Sequence, residues 1–146
     1  MTENLDETIQ LTADVVCLRG DDVLVIRRGW EPYKGELALP GGYVDRGETS
    51  REAAARELRE ETGITVAAED LDRIDVYDRP DRDPRGRFVS VAYFVEVPAD
   101  TVAQAGDDAI AVQWVPLADP GHLAFDHGEI LADARRHLLT VGSGRR

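Results

Sequence analysis

Lysine is almost missing from this chain: Lys34 stands alone beside 16 arginines in 146 residues. Cysteine is as scarce. A single thiol cannot close an internal disulfide, and Cys17 sits in the apolar run Val15–Leu18. A buried, inert thiol in a reducing cytoplasm is therefore expected. There is no basic-then-apolar leader, since Met1–Gln10 is polar and acidic. The longest apolar stretch, around Val91–Val97 and interrupted by Glu96, falls far short of the roughly 20 residues a membrane helix needs. Internal repeats, low-complexity tracts and linkers are also missing. These absences point to a cytoplasmic protein that is neither exported nor membrane-spanning.

Positive charge is outnumbered, and the formal net charge is −12. That argues against broad binding to nucleic acid or anionic membranes. It also means that a phosphate-bearing ligand would be repelled unless cations gather locally. Arginine-rich, aspartate-rich usage fits a high-salt cytoplasm, where surface charge is screened at short range. Codon bias in a GC-rich genome fits it too; the halophile reading is the working expectation. What is present is an ordinary globular composition, 42% hydrophobic and 32% charged. One domain over 1–146 is expected, within the common span of about 100–150 residues. A chain of this length buries roughly 68–70% of its surface, so no disulfide or structural metal is required.

The β-branched runs Leu11–Leu18 and Val23–Arg27 flank Arg19–Asp22 and read as a hairpin. Gly29–Glu36 reads as a loop, and Leu37–Leu39 as a short apolar segment halted by a turn at Pro40-Gly41-Gly42. A helix over Ser50–Thr62 is marked by Thr49 with Glu52, a capping box, and by Gly63 with Ile64 folding back on Leu58. Strands are expected over Ile74–Tyr77, Phe88–Val97 and Gln113–Leu117. A second helix is expected over His127–Leu139, capped by Asp126, with Ile130, Leu131, Ala134 and Leu138 on one stripe. Met1–Gln10 reads as an N-terminal arm and Val141–Arg146 as a frayed tail. Strands interspersed with two helices suggest a mixed sheet covered by helices.

The first helix carries the chemistry. At about 100° per residue, Glu61 lies about 40° to one side of Glu57 and Glu60 about 60° to the other. Ala54, Leu58 and Thr62 form the neighbouring apolar stripe, and Arg56 lies beside Glu60. A solvated acidic face would be the ordinary explanation. Against it, Glu57 and Glu61 repel at i,i+4 by about 0.2–0.5 kcal/mol, and they border the buried stripe. Clustered carboxylate oxygens suit Mg²⁺, which also binds substrate phosphates. Pro40-Gly41-Gly42 permits a backbone turn that brings carbonyls near this face.

Gly42, five residues, Glu48, seven residues, and then Arg56-Glu57-Leu58-Arg59-Glu60-Glu61-Thr62-Gly63-Ile64 resembles the Nudix box at every defined position. The resemblance implies an α/β fold (α+β), an α/β/α sandwich with a mixed β-sheet. It also implies Mg²⁺-dependent hydrolysis of a nucleoside diphosphate linked to a further group, with Mn²⁺ able to substitute. Glu57 and Glu61 are then principal metal ligands, joined by Glu60 and the carbonyl of Gly41, while Glu48 and Arg56 support them. A metal-activated water would attack one phosphorus while the ions stabilise the leaving phosphate.

Three further segments resemble the ADP-ribose pyrophosphatase branch of that family: Arg27–Gly29 with Glu31–Gly35, Asp81–Arg87, and Leu123–His127. Arg27 and Arg87 are the expected diphosphate or terminal-phosphate contacts, with Tyr33 or Trp30 offering a face to adenine. On its chemistry alone the Asp81–Arg87 turn is an alternating-charge loop in water. Phe94 and Trp114 read as core. His122, His127 and His137 show no metal spacing, and His127 reads as part of a helix start. Gly106–Trp114 resembles the region that carries a catalytic glutamate in relatives, but Ala111 stands there; Asp107, Asp108 or a box glutamate remain as bases.

The expected reaction is ADP-ribose to AMP and ribose 5-phosphate. Alternatives are a nucleoside triphosphate pyrophosphatase acting on an oxidised or pterin-like nucleotide, and a non-catalytic ADP-ribose sensor. The sensor reading would call for a DNA-binding segment, for which no room is expected. The partner is a small nucleotide, not nucleic acid or membrane. A homodimer is possible through sheet or N-terminal elements such as Met1–Leu11.

Overall fold

The computed structural model describes residues 7–106 and 109–144, with side chains to 138. Most of the N-terminal arm, the candidate bases Asp107 and Asp108, and the last two residues lie outside them. Seven strands form one mixed sheet: β1 (Ile9–Arg19), β2 (Asp22–Arg28), β3 (Leu37–Ala38), β4 (Gly41–Tyr43), β5 (Asp72–Tyr77), β6 (Arg87–Glu96) and β7 (Ala109–Pro116). Two helices cover it, α1 (Ser50–Thr62) and α2 (His127–Gly144). Among the described residues no helix is long and apolar enough to cross a membrane.

Alternation along β1 builds the three layers. Ala13, Val15 and Cys17 face α1 and pack with Ala53, Ala54, Leu58 and Ile64. Val16 and Leu18 face the other way, with Leu39, Phe94, Ile130, Leu131 and Ala134. Asp14 shares that second face, so a carboxylate is buried beneath α2. Burial pushes the Cys17 thiol up to about 12, leaving it inert at neutral pH.

The sheet divides beside β1. β1 pairs with β2 only at Leu18–Val23 and Arg19–Asp22, across a turn opened by Gly20 at φ 60°. Further back, β1 pairs with β4 through Thr12, Ala13 and Asp14, whereas β2 pairs with β3 through Ile26 and Arg27. The segment Leu37–Tyr43 thus crosses from β2 to β1 and wedges the two strands apart. On its other edge β1 runs parallel to β6 from Ile9 to Leu18.

Three expectations change. Gly41–Tyr43 is a strand, not only a turn, and neither Gly41 nor Gly42 has a positive φ. Helix α2 runs on to Gly144, through most of the expected tail. The Asp81–Arg87 turn is not simply solvated: Arg82 and Asp83 are buried.

Candidate active site

Helix α1 begins and ends where its local signals place it. Thr49 accepts from the Glu52 N–H, Glu52 returns a bond to the Thr49 N–H, and Gly63 closes the helix at φ 75°. Such a cap contributes about 1 kcal/mol. Ala54, Leu58 and Thr62 are fully buried, which turns Glu57 and Glu61 toward β4. Glu61 is itself only 5% exposed.

The glycines are required by close approach. A β-carbon on Gly42 would sit 2.6 Å from the Glu57 carboxyl carbon, and one on Gly41 would overlap Ala13 O and Asp14 Oδ1. Val15 donates to Pro40 O, and Val44 to Leu11 O. By strand alternation the N–H and C=O of Gly41 therefore face away from β1. That N–H donates to Glu61 Oε1 at 2.8 Å.

Arg56 organises the remaining carboxylates. Its Nε and Nη2 donate to Glu48 at 2.6 and 3.0 Å, and Nη1 donates to Glu57 at 2.7 Å and Glu60 at 3.1 Å. Nη2 also reaches Tyr43 O at 2.9 Å, tying α1 to β4. Arg56 hydrogen bonding holds Glu48 below the usual carboxylate range. Burial pushes Glu57 up, against the opposing pull of Arg56. Among the described residues no three His, Cys, Asp or Glu side chains are already gathered as a cation cage. Arg56 stands among Glu48, Glu57 and Glu60, while Glu61 turns to Gly41. The donors nevertheless fit a hard divalent cation: all are oxygens, and a buried carboxylate with a raised pKa gains from nearby positive charge.

A cleft of about 220 Å³ opens on this face, lined by Glu57, Glu61, Gly41, Gly42, Thr12, Ile26, Arg28, Trp30 and Arg85 among others. A smaller cavity of about 70 Å³ shares Thr12, Ile26, Arg28, Gly41, Gly42 and Arg85 with it and extends to Asp14, Arg82 and His127. The opening thus continues through the divided sheet.

Two arginines, Arg28 and Arg85, line both openings. The Arg28 guanidinium lies 4.9 Å from the Phe125 ring, and Arg85 lies 4.6 Å from Phe88 and 5.8 Å from Phe125. Burial, and then the neighbouring Arg85, lower the Arg28 pKa. An anion between the two would relieve that repulsion.

Of the residues expected to bind substrate, Trp30 lines the cleft, whereas Arg27, Arg87 and Tyr33 do not. Arg27, on the opposite strand phase, donates to Gly35 O at 2.6 Å and does not line the cleft. Arg87 donates to Asp78 O at 3.3 Å, and its Nε is buried without a hydrogen-bond partner among the described residues. Tyr33 packs edge-on against Phe125 at 4.6 Å, while Trp30 lines the cleft and is 65% exposed.

Sequence reasoning missed a buried polar network behind Gly41. Arg82 forms a two-pronged bond with Asp126 at 2.9 and 2.6 Å, so the Asp126 carboxylate serves Arg82. Breaking such a buried pair costs about 3–5 kcal/mol. Ser90 donates to Asp14 Oδ2 at 2.5 Å. His127 Nδ1 accepts the Leu39 N–H at 3.0 Å, and Nε2 lies 3.6 Å from Asp14 Oδ1. Burial lowers the His127 pKa, so the ring is neutral with its proton on Nε2. The advance signals were the segments Asp81–Arg87 and Leu123–His127, which hold its partners Arg82, Asp126 and His127.

The family model for the NUDIX domain matches residues 8–134, and the chain belongs to that family; it is a Nudix hydrolase. An ADP-ribose pyrophosphatase from Methanocaldococcus jannaschii is 40% identical over 126 residues, covering 86% of this chain and 73% of that one. The NUDIX domain of NrtR from Shewanella oneidensis, solved with ADP-ribose, is 29% identical with a TM-score of 0.82 and 90% of each chain covered. A bifunctional NMN adenylyltransferase/ADP-ribose pyrophosphatase from Francisella tularensis, solved with AMP and a Mn ion, is 30% identical with a TM-score of 0.77. That match covers 92% of this chain and 42% of the other.

Proposed function

We propose that the protein hydrolyses ADP-ribose to AMP and ribose 5-phosphate in the presence of Mg²⁺, with Mn²⁺ able to substitute. The observation that carries this reading is one cleft lined by both carboxylates and arginines. Glu57, Glu61 and Gly41 supply oxygens to its lining, and Arg28 and Arg85 supply positive charge, with the exposed Trp30 ring beside them. A diphosphate suits such a lining, bound by the arginines directly and by the carboxylates through a metal.

Glu57, Glu61 and the Gly41 carbonyl would hold the cation, with Glu60 joining if a further ion binds. Bound there, the metal supplies charge neutralisation at the phosphates and a more acidic water. Arg56 and Glu48 hold the carboxylates in place, and Arg28 and Arg85 orient the diphosphate. Trp30 offers its face to the base. Water adds across the cleaved P–O–P linkage, and each product keeps one phosphate.

The similarity to an ADP-ribose pyrophosphatase and to an ADP-ribose-bound NUDIX domain supports this choice of substrate. The test is a metal-dependent screen of ADP-ribose beside a nucleoside triphosphate panel, with Glu57→Gln and Glu61→Gln as controls. ADP-ribose is expected to be turned over fastest, and both variants to lose activity. Faster turnover of a triphosphate would assign the enzyme to that class. An inactive wild type whose Glu61→Gln variant still binds ADP-ribose would make it a sensor.

A further inference from the structure

The segment Leu123–His127 reaches four separate parts of the cleft's surroundings. Ala124 N–H donates to Leu37 O in β3, and Phe125 lies against the guanidinium groups of Arg28 and Arg85. Asp126 holds Arg82, in the same turn as Arg85. His127 binds Leu39 and faces Asp14, whose Oδ1 occupies the place a β-carbon on Gly41 would take.

Three consecutive residues of the wedge segment are each held by one bond. Leu39 N–H goes to His127, Pro40 O receives Val15 N–H, and Gly41 N–H goes to Glu61. Leu39 lies one residue beyond the β2–β3 pairing, which ends at Ala38. Proline supplies no N–H, so Leu39 carries the last backbone donor before Gly41. His127 is therefore placed to set the path of the backbone entering the cation-binding face. Its second nitrogen faces the carboxylate against which Gly41 packs.

We infer that His127 is a positioning residue: by accepting the Leu39 N–H and directing Nε2–H at Asp14, it fixes where the Gly41 carbonyl stands. The metal-binding consequence rests on the proposed cation site at Gly41, Glu57 and Glu61; the backbone-positioning part does not. A histidine that merely filled the core would affect melting temperature alone.

Two variants of the full chain separate these roles. In His127→Asn, Oδ1 stands near the former Nδ1 and keeps the acceptor; His127→Leu has similar bulk and no acceptor. Amide exchange at Leu39 and Gly41, followed by NMR in the metal-free protein, is expected to speed about tenfold or more in the leucine variant. Its Mn²⁺ affinity, measured by EPR well below the melting temperature, is expected to fall about 10-fold or more. kcat should fall with it while KM for ADP-ribose changes little. The asparagine variant, which keeps the Leu39 acceptor but not the donor toward Asp14, should keep slow exchange at Leu39 and fall between wild type and the leucine variant in Mn²⁺ affinity and kcat.

Wild-type exchange or wild-type Mn²⁺ affinity in His127→Leu overturns the inference, as does an asparagine variant as impaired as the leucine one. If the leucine variant does not fold, His127→Gln replaces it, since its amide reaches toward Asp14 but offers Leu39 no acceptor. Mn²⁺ binding insensitive to Glu57→Gln and Glu61→Gln would instead remove the cation site. Amide exchange would then still decide whether His127 sets the backbone.

Discussion

Gly42 and Glu57 are in contact through a missing atom: a β-carbon on the glycine would lie 2.6–2.8 Å from the carboxyl carbon and oxygens of the glutamate. The space of one methyl group is thus occupied by a carboxylate that burial has pushed toward its neutral form. Strand β4 and helix α1 are fitted to one another at this point.

Gly42→Ala is accordingly expected to displace Glu57 with little loss of fold, because the atom met first is the end of a flexible side chain. Mn²⁺ affinity should fall about 10-fold or more, the range seen when groups supporting a metal ligand are disturbed. EPR titration measures this, with a thermal melt as control. Unaltered affinity would show that Glu57 does not need its observed place.

Arg28 and Arg27 differ by one residue and by strand face. Arg28→Ala is expected to raise KM for ADP-ribose by about 10-fold, the loss of one charge-assisted hydrogen bond. Arg27→Ala should leave KM nearly unchanged, since Arg27 does not line the cleft, whereas Arg28 lines it even while its Nε donates to Pro32 O. Steady-state kinetics of the two variants settle the matter, and a larger effect at Arg27 would refute the cleft assignment.

Glu57 and Asp83 should respond to pH in opposite directions. Folded Glu57 keeps its proton where the unfolded chain, near the ordinary 4.5, has lost it. Its ionisation therefore lowers stability increasingly as pH rises through the elevated folded value. Metal-free Glu57→Gln should melt above wild type at neutral pH, with the gain vanishing below 4.5. Burial alone would raise Asp83, but hydrogen bonds from Arg85 outweigh it and hold the carboxyl below 3.8. The stability contributed by Asp83 is present above 3.8 and lost as pH falls through the folded value. Asp83→Asn should thus be less stable at neutral pH and show a shallower acid limb in melting temperature against pH.

The net charge of −12 carries a prediction of its own. Raising KCl to about 1 M shortens the screening length to roughly 3 Å and weakens self-repulsion. Melting temperature should rise across that titration. A maximum in dilute buffer would leave codon bias as the explanation of the composition.

Helix α1 was legible in the sequence because its signals are local: Thr49, Glu52 and Gly63 act on the turns where they stand. The β-branched runs of β1, β2 and β6 were legible for the same reason. That Arg28 rather than Arg27 lines the cleft was not, since one residue of strand phase reverses the face of the sheet. The buried network was hidden by distance along the chain. Arg82 finds Asp126 at a separation of 44 residues, and Leu39 finds His127 at 88. A run of alternating charges looks the same in water as in the core until its partners are known.

The wedge segment sets which parts of the enzyme can move. Leu37–Tyr43 stays paired with β2 at one end and β1 at the other, so narrowing the opening would mean unzipping a strand pairing. Trp30 and Arg85, by contrast, stand in connecting turns, with Arg85 bonded to Asp83 in its own turn. With the substrate contacts proposed for Trp30 and Arg85, substitutions in those turns would alter the fit of the substrate while the paired backbone at Gly41 stays in place.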